Sequence, residues 1–324
     1  MSSTNTDLSG TRKMLLVAST GGHLAQLVRL SPGLGASDDS LWVTFRTPQS
    51  ESLLAGKRVH YVPYVRSRDL LGAIKAANVI RRVVRQERFD LAVSTGAAIA
   101  VSALPIAKLA GIETLYIESV SRVEGPSLSG RMIAALRAAS LRTQHAGWAT
   151  KRWSLHPSVF ATYRPIDAVP TERPSLFVSL GTIEGYRFDA MVDQILATGM
   201  ADERTVWQLG FTTGRADLPG STYQQVSADQ FAKFASDADV VVTHAGVGSL
   251  LGLLELGIYP VLVTRRKARG EHVDDHQQQI ARLASSLGVA AAVDVPDLSA
   301  DVLREATRRS IELDPSVRTP GSIK

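Results

Sequence analysis

Short apolar runs recur along the chain, each followed by a glycine-bearing or polar turn and then by residues at helical spacing. Met14–Ser19 is the first run, and Leu24–Leu30 begins the helix behind it. Leu41–Phe45 and His60–Val62 read as the next strands. Between Leu70 and Arg88 the apolar residues Leu70, Leu71, Ile74, Ala77, Ile80 and Val84 keep helical spacing, with Lys75, Arg81, Arg82, Arg85 and Arg88 among them. Asp69 is placed to cap that helix. Leu91–Ser94, Thr114–Ile117 and about Gln144–Ala149 complete a first series of strands, with helices from about Ala97 and Ser127 between them.

The texture changes at Ser154–Pro174, which holds Pro157, Pro165, Pro170 and Pro174 and little helical periodicity. Alternation then restarts. Strands are expected at Leu176–Ser179, Thr205–Leu209, Val240–Thr243 and from Pro260, with a last one near Val289–Val293. Helices are expected over about Arg187–Ala197, Ala228–Ser236 and Leu250–Leu256, and from about Ser299. Strands alternating with helices on both sides of a proline-rich hinge predict an α/β chain of two parallel-sheet domains. The expected division is a tail (1–12), an N-terminal domain (13–153), a linker (154–174) and a C-terminal domain (175–324). In such sheets ligands sit at the carboxyl ends of the strands, where His23, Thr182, Gly210 and His244 fall, and the expected active site is the cleft between the domains.

Composition narrows the class. Of 324 residues 44% are hydrophobic and 21% charged, as in folded globular proteins. Cysteine is absent, which removes disulfides, thiol nucleophiles and thiolate metal sites, and fits a reducing cytoplasm. The N-terminus has no apolar core of signal-peptide length, and no run is long enough to span a bilayer. The net charge of +5 is unevenly spread. Residues 1–160 carry 20 Lys and Arg against 10 Asp and Glu, or +10, and the remainder carries 16 against 21, or −5. A basic half suggests an anionic counterpart. Basic residues lack aromatic interleaving, so no nucleic acid is expected. The helix Leu70–Arg88 and the segment Arg131–Arg142 are either ordinary helices with a solvated basic face or docking surfaces for anionic lipid.

The densest chemistry lies between Val240 and Gln279. A buried-type strand runs into His244-Ala245-Gly246-Val247-Gly248-Ser249 and then a helix. A glycine turn there gathers free N–H groups and the positive end of a helix dipole, which makes an anion site suited to a diphosphate. One βα unit later come Asp274, Asp275, His276, Gln277 and Gln278, side chains able to read hydroxyls or, more plainly, a solvated helix start. The pair suggests a nucleotide-sugar pocket. His272 and His276 stand four apart, but zinc signatures are lacking and no metal is expected. After the first strand, Gly21-Gly22-His23 is either a tight turn with an incidental histidine or a close ligand approach bearing a base. Glu118 to Gly125 is either a polar loop or an acceptor-site wall in which Arg122 contacts phosphate.

These motifs resemble the GT-B glycosyltransferases. Leu180-Gly181-Thr182, Thr243 to Ser249 and Asp275-His276-Gln277 resemble the donor-binding domain of the group that includes the peptidoglycan lipid-intermediate N-acetylglucosaminyltransferase. They look closest to the catalytic subunit of the eukaryotic enzyme adding the second N-acetylglucosamine to dolichol diphosphate. Ser19 to His23, Leu24 to Leu30, Glu118 to Glu124 and Ser127 to Gly130 resemble its membrane-recruiting partner subunit, so the chain looks like both fused. The run Gly270 to Gln277 is typical of bacterial capsule and exopolysaccharide counterparts. The resemblance implies two Rossmann-like domains facing across a cleft. It implies inverting, metal-independent transfer from a UDP-sugar to a polyprenyl-diphosphate-linked sugar, by a peripheral enzyme on the cytoplasmic face of the plasma membrane. It carries over Thr182, His244, Gly246, Gly248 and Ser249 for the UDP diphosphate, and Gln277 with Asp275 or Gln278 for the sugar hydroxyls. Gly21, Gly22 and Arg122 would face the acceptor. His23 is the preferred base, with an acid limb expected near pH 6–7, and Glu118 and then Glu124 are the next candidates. Many relatives hold the ribose with a glutamate where this chain has Gly252; the exopolysaccharide subgroup also lacks it. A UDP-sugar 2-epimerase on the same fold and a non-catalytic sugar-nucleotide-binding partner are the alternatives.

Overall fold

A computed structural model describes residues 11–64, 70–181, 185–266, 269–271 and 276–313, and of Leu70, Leu71, Ala73 and His276 the backbone alone. The described residues divide into two units, one up to Thr162 and one from Tyr163 to Leu313.

The first unit is built on a seven-stranded sheet. Its strands are β1 (Met14–Ala18), β2 (Leu41–Phe45), β3 (Arg58–Val62), β4 (Leu91–Gly96), β5 (Glu113–Ile117), β6 (Ser140–Thr143) and β7 (Trp153–Leu155), in the order β3-β2-β1-β4-β5-β6-β7. Every pairing is parallel. Both faces of the inner strands are covered, so all of β1 and β4 is buried, and β1 is apolar at each position. Between the strands run α1 (Gly22–Leu30), α2 (Pro48–Leu53), α3 (Leu70–Gln86), α4 (Ala98–Leu109) and α5 (Leu128–Ala135). Leu15, Val43, Ala92, Ile99, Leu104 and Tyr116 belong to one core packed from sheet and helices.

The second unit repeats the plan with β9 (Leu176–Ser179), β10 (Val206–Gln208), β11 (Ser221–Tyr223), β12 (Val240–His244), β13 (Val261–Val263) and β14 (Ala291–Val293). Their order is β11-β10-β9-β12-β13-β14, again all parallel. Helices α6 (Asp189–Ala197), α7 (Ala228–Asp237), α8 (Val247–Glu255), α9 (His276–Ser286) and α10 (Ala300–Ala306) flank it. A separate antiparallel pair joins β8 (Tyr163–Asp167) to β15 (Arg309–Leu313).

Three expectations need correcting. The segment 154–174 is not a bare linker: it contains the end of β7 and all of β8, whose Pro165 sits in a two-stranded edge ladder that tolerates a missing N–H. The strand expected over 144–149 lies earlier, at β6, and Ala146–Trp148 is a 3-10 turn. The segment 131–142 is not one amphipathic helix. α5 ends at Ala135, Arg137 takes a left-handed conformation (φ 49°), and β6 follows.

Candidate functional site

In the first unit α1 starts directly behind β1, with Gly21 at its N-cap and no side-chain cap. His23, in its first turn, is half-buried. Its Nδ1 lies 2.7 Å from the Thr95 carbonyl oxygen. A carbonyl only accepts, so Nδ1 carries the proton and Nε2 keeps its lone pair. The ring lies against the end of β4: a Cβ on Gly96 would stand 2.8 Å from the imidazole Cε1, so glycine is required there. Burial lowers the His23 pKa below 6.5, the Thr95 bond opposes this in part, and the Arg122 guanidinium lowers it further. The ring is therefore neutral at pH 7 with a free basic nitrogen, the state a proton acceptor needs.

Gly21 is less available than the sequence suggests, because its N–H donates to Gln49 Oε1 at 2.6 Å. Gly22 is half-buried behind it.

Arg122 rides on a tightly held loop after β5. The Val120 N–H donates to Gln26 Oε1 and the Val120 carbonyl accepts from His145 Nε2, while Trp148 Nε1 donates to the Arg122 carbonyl. Gln26 is fully buried, and its amide also donates to the Gly22 carbonyl and to Ser119 Oγ. One side chain thus joins the His23 turn to the Arg122 loop. Sequence reading missed Gln26; a polar residue between the buried Leu24 and Leu27 was the available signal.

Glu118, the second candidate base, has a structural setting of its own. It is fully buried and accepts from the Ser127 N–H and hydroxyl, the Ser119 N–H and the Tyr116 hydroxyl. Ser127 in turn caps α5 by accepting the Gly130 N–H. Burial raises the Glu118 pKa while these donors oppose the rise. The carboxylate is used up fastening the start of α5. Glu124, by contrast, is exposed.

In the second unit three neighbouring strand ends converge. β9 ends at the Leu180-Gly181 turn, β12 at His244, and Val263 of β13 is in register with His244. The His244 ring is wedged between two glycines: a Cβ on Gly181 would lie 2.6 Å from its Cε1, and one on Gly246 2.4 Å from its Nε2. Gly246 is the N-cap of α8, again without a side-chain cap, and Val247, Gly248 and Ser249 of its first turn are half-buried. Thr47, Ser127, Ser227 and Ser299 cap α2, α5, α7 and α10, whereas α1, α4, α6 and α8 start without a side-chain cap. Uncapped N–H groups at a half-open turn form an anion-binding arrangement. Gln277, at the start of α9, is buried with its Oε1 unpartnered among the described residues, an acceptor suited to a hydroxyl. Gln278 lines a cleft with Thr264, Arg266, Arg282 and Asp294. Thr182 and Asp275 lie outside the described residues, as do Asp69, His272 and Asp274. The described residues hold no group of three or more metal-ligating side chains.

Residues 195–313 match the Glycosyltransferase family 28 C-terminal domain. Over 91% of its length the chain is 27% identical to a Parasynechococcus marenigrum protein named UDP-N-acetylglucosamine--N-acetylmuramyl-(pentapeptide) pyrophosphoryl-undecaprenol N-acetylglucosamine transferase, covering 86% of it. The chain is a glycosyltransferase enzyme of GT-B fold. Acinetobacter baumannii MurG shares this fold with a TM-score of 0.56 and 18% identity, over 90% of this chain and 89% of that one. So does the UDP-GlcNAc 2-epimerase of Methanocaldococcus jannaschii, with a TM-score of 0.56 and 11% identity over 96% of each chain. The fold alone therefore does not separate transferase from epimerase; the family 28 match and the named relatives favour the transferase.

Proposed function

We propose that this glycosyltransferase moves a sugar, N-acetylglucosamine by analogy with its relatives, from UDP to a saccharide carried on polyprenyl diphosphate. The observation that carries the reading is the His244 turn. Gly181 and Gly246 admit the imidazole beside an uncapped helix N-terminus, and His244, Gly246 and α8 fall in the region matching the family 28 domain. The UDP diphosphate binds there, against Gly246, Gly248 and Ser249, and Gln277 takes a donor hydroxyl. The developing negative charge on the leaving diphosphate is met by the helix N–H groups without a metal. In the acceptor-binding unit His23 Nε2 removes the hydroxyl proton, Thr95 holds the ring, and Arg122 meets the acceptor's diphosphate. A single displacement then inverts the anomeric centre.

The acceptor is membrane-bound, and the described residues contain no helix long and apolar enough to cross a membrane. On this reading the enzyme docks peripherally on the cytoplasmic face. α3 exposes Lys75, Arg81, Arg82 and Arg85 beside Ile74, and α4 and α5, which pack in series against it, expose Leu109, Met132 and Arg131. Basic groups around apolar side chains suit an anionic bilayer surface.

Within this reaction the relatives' names point to the peptidoglycan intermediate. Gly252 and the run Gly270 to Gln277 favour an exopolysaccharide or capsule glycan instead. Incubation with radiolabelled UDP-sugars and either the undecaprenyl-diphosphate N-acetylmuramyl pentapeptide or undecaprenyl-diphosphate hexoses tests both. Label in the organic-extractable fraction is expected with UDP-N-acetylglucosamine; its absence with every acceptor overturns the proposal.

A further inference from the structure

Arg265 follows β13 after Thr264 and is 1% exposed. Its guanidinium reaches three carbonyls, two in the β9–α6 connection and one in its own β13–α9 connection. Nη2 donates to Leu180, while Nη1 donates to Glu271 at 2.8 Å and to Tyr186 at 3.2 Å. The guanidinium carbon lies 4.8 Å from the Phe188 ring centroid, and Nε has no hydrogen-bond partner among the described residues. Among the described residues Arg265 makes no ion pair. Burial lowers its pKa to about 10, so it stays charged at neutral pH. The buried Glu271 carboxylate, held by the Arg266 N–H, offsets that shift in part without touching the guanidinium, so the cation is held mainly by carbonyl dipoles and keeps a field that a further anion at the turn would feel.

The Leu180 contact has a geometric consequence. Peptide units are planar and trans, so a Leu180 carbonyl turned toward Arg265 points the Gly181 N–H the opposite way. Gly181 is the residue against which the His244 ring packs. Arg265, His244 and the Gly181 turn occupy the ends of the adjacent strands β13, β12 and β9.

We propose that Arg265 is a positioning residue for the donor diphosphate: it sets the Leu180–Gly181 peptide and places a fixed positive charge behind the turn. This rests on reading the Gly181 and Gly246 turns as the diphosphate site. Neighbouring Arg266 does not share the role, because its guanidinium is paired with Asp294.

Calorimetry with UDP and with uridine tests the inference, because uridine lacks the phosphates. Wild type is expected to bind UDP far more tightly than uridine. Arg265→Gln is expected to lose UDP affinity by about tenfold or more while uridine binding changes by less than about twofold. A merely structural role would weaken both ligands alike. Arg265→Lys restores charge without the planar fork and is expected to fall between the two. Should Arg265→Gln give no cooperative melt, Arg265→Lys decides by the same UDP-to-uridine comparison. An unchanged ratio in the folded variant overturns the role of Arg265 alone. A wild type that binds UDP no better than uridine overturns the diphosphate-site reading beneath it.

Discussion

His23 Nδ1 stands 2.7 Å from the Thr95 carbonyl oxygen, and the Thr95 hydroxyl donates to the His23 carbonyl oxygen over the same distance. The reciprocal pair fixes ring and backbone together and leaves Nε2 as the basic nitrogen. His23→Ala is expected to lower turnover by about 10²–10⁴-fold with UDP affinity intact. His23→Gln is expected to be nearly as poor, since an amide cannot take the proton. The pH–rate profile adds a direction. Burial and Arg122 depress the folded pKa, so the active neutral form persists below pH 6.5 and is lost as pH falls through the depressed value. The acid limb therefore lies below pH 6.5, lower than the 6–7 expected from an unperturbed histidine, and it disappears in both variants. Retained activity in His23→Gln contradicts the assignment.

Glu118 gives the opposite expectation. Glu118→Gln turns an amide N–H toward groups that already donate, so it is expected to cost about 1–3 kcal/mol of stability, read as a lower denaturation midpoint. Turnover per folded molecule and the acid limb should stay near wild type. A limb that moves with Glu118→Gln returns the carboxylate to the chemistry.

On the donor side, Gly246→Val places a branched side chain where even a Cβ would lie 2.4 Å from His244 Nε2, and it is expected to abolish UDP binding in calorimetry. Gln277→Ala is expected to keep UDP binding and lose discrimination among UDP-sugars, because its buried Oε1 is assigned to a sugar hydroxyl. Unchanged sugar preference in Gln277→Ala removes that assignment.

What the sequence revealed follows from how local the signal is. β1 and β12 are buried on both faces, so each is a continuous apolar run and was legible, as were the glycine turns after them. β6 was not, because its Arg142 and Ser140 interrupt the run and Leu136 and Ala138 before it continue a helical pattern. β8 and β15 depend on pairing between positions far apart in the chain, which spacing cannot show. At the site, His23 and His244 were marked by their glycines. The fate of Glu118 was hidden because spacing does not show that its carboxylate turns inward to meet the Tyr116 hydroxyl, the Ser119 N–H and Ser127. Arg265 was overlooked for a related reason: an arginine after an apolar strand reads as solvated, and only the loops folded over it bury it.

The lipid surface carries its own prediction. Replacing Arg81, Arg82 and Arg85 together by Glu reverses the exposed basic face of α3 without touching the buried Ala76, Ile80 or Val83. Binding to anionic vesicles in co-sedimentation should fall to the level seen with neutral vesicles, and raised salt should weaken the wild type in the same direction. Equal binding of wild type to neutral and anionic vesicles contradicts the surface.

The most direct test of the whole account is UDP release measured with UDP-N-acetylglucosamine in the presence and absence of a polyprenyl-diphosphate-linked saccharide, with the lipid product analysed by mass. The account predicts UDP release that requires the lipid acceptor, is matched by a lipid product heavier by one sugar, and is lost in His23→Ala. UDP release, or a 2-epimerised sugar, appearing equally without any lipid would contradict it.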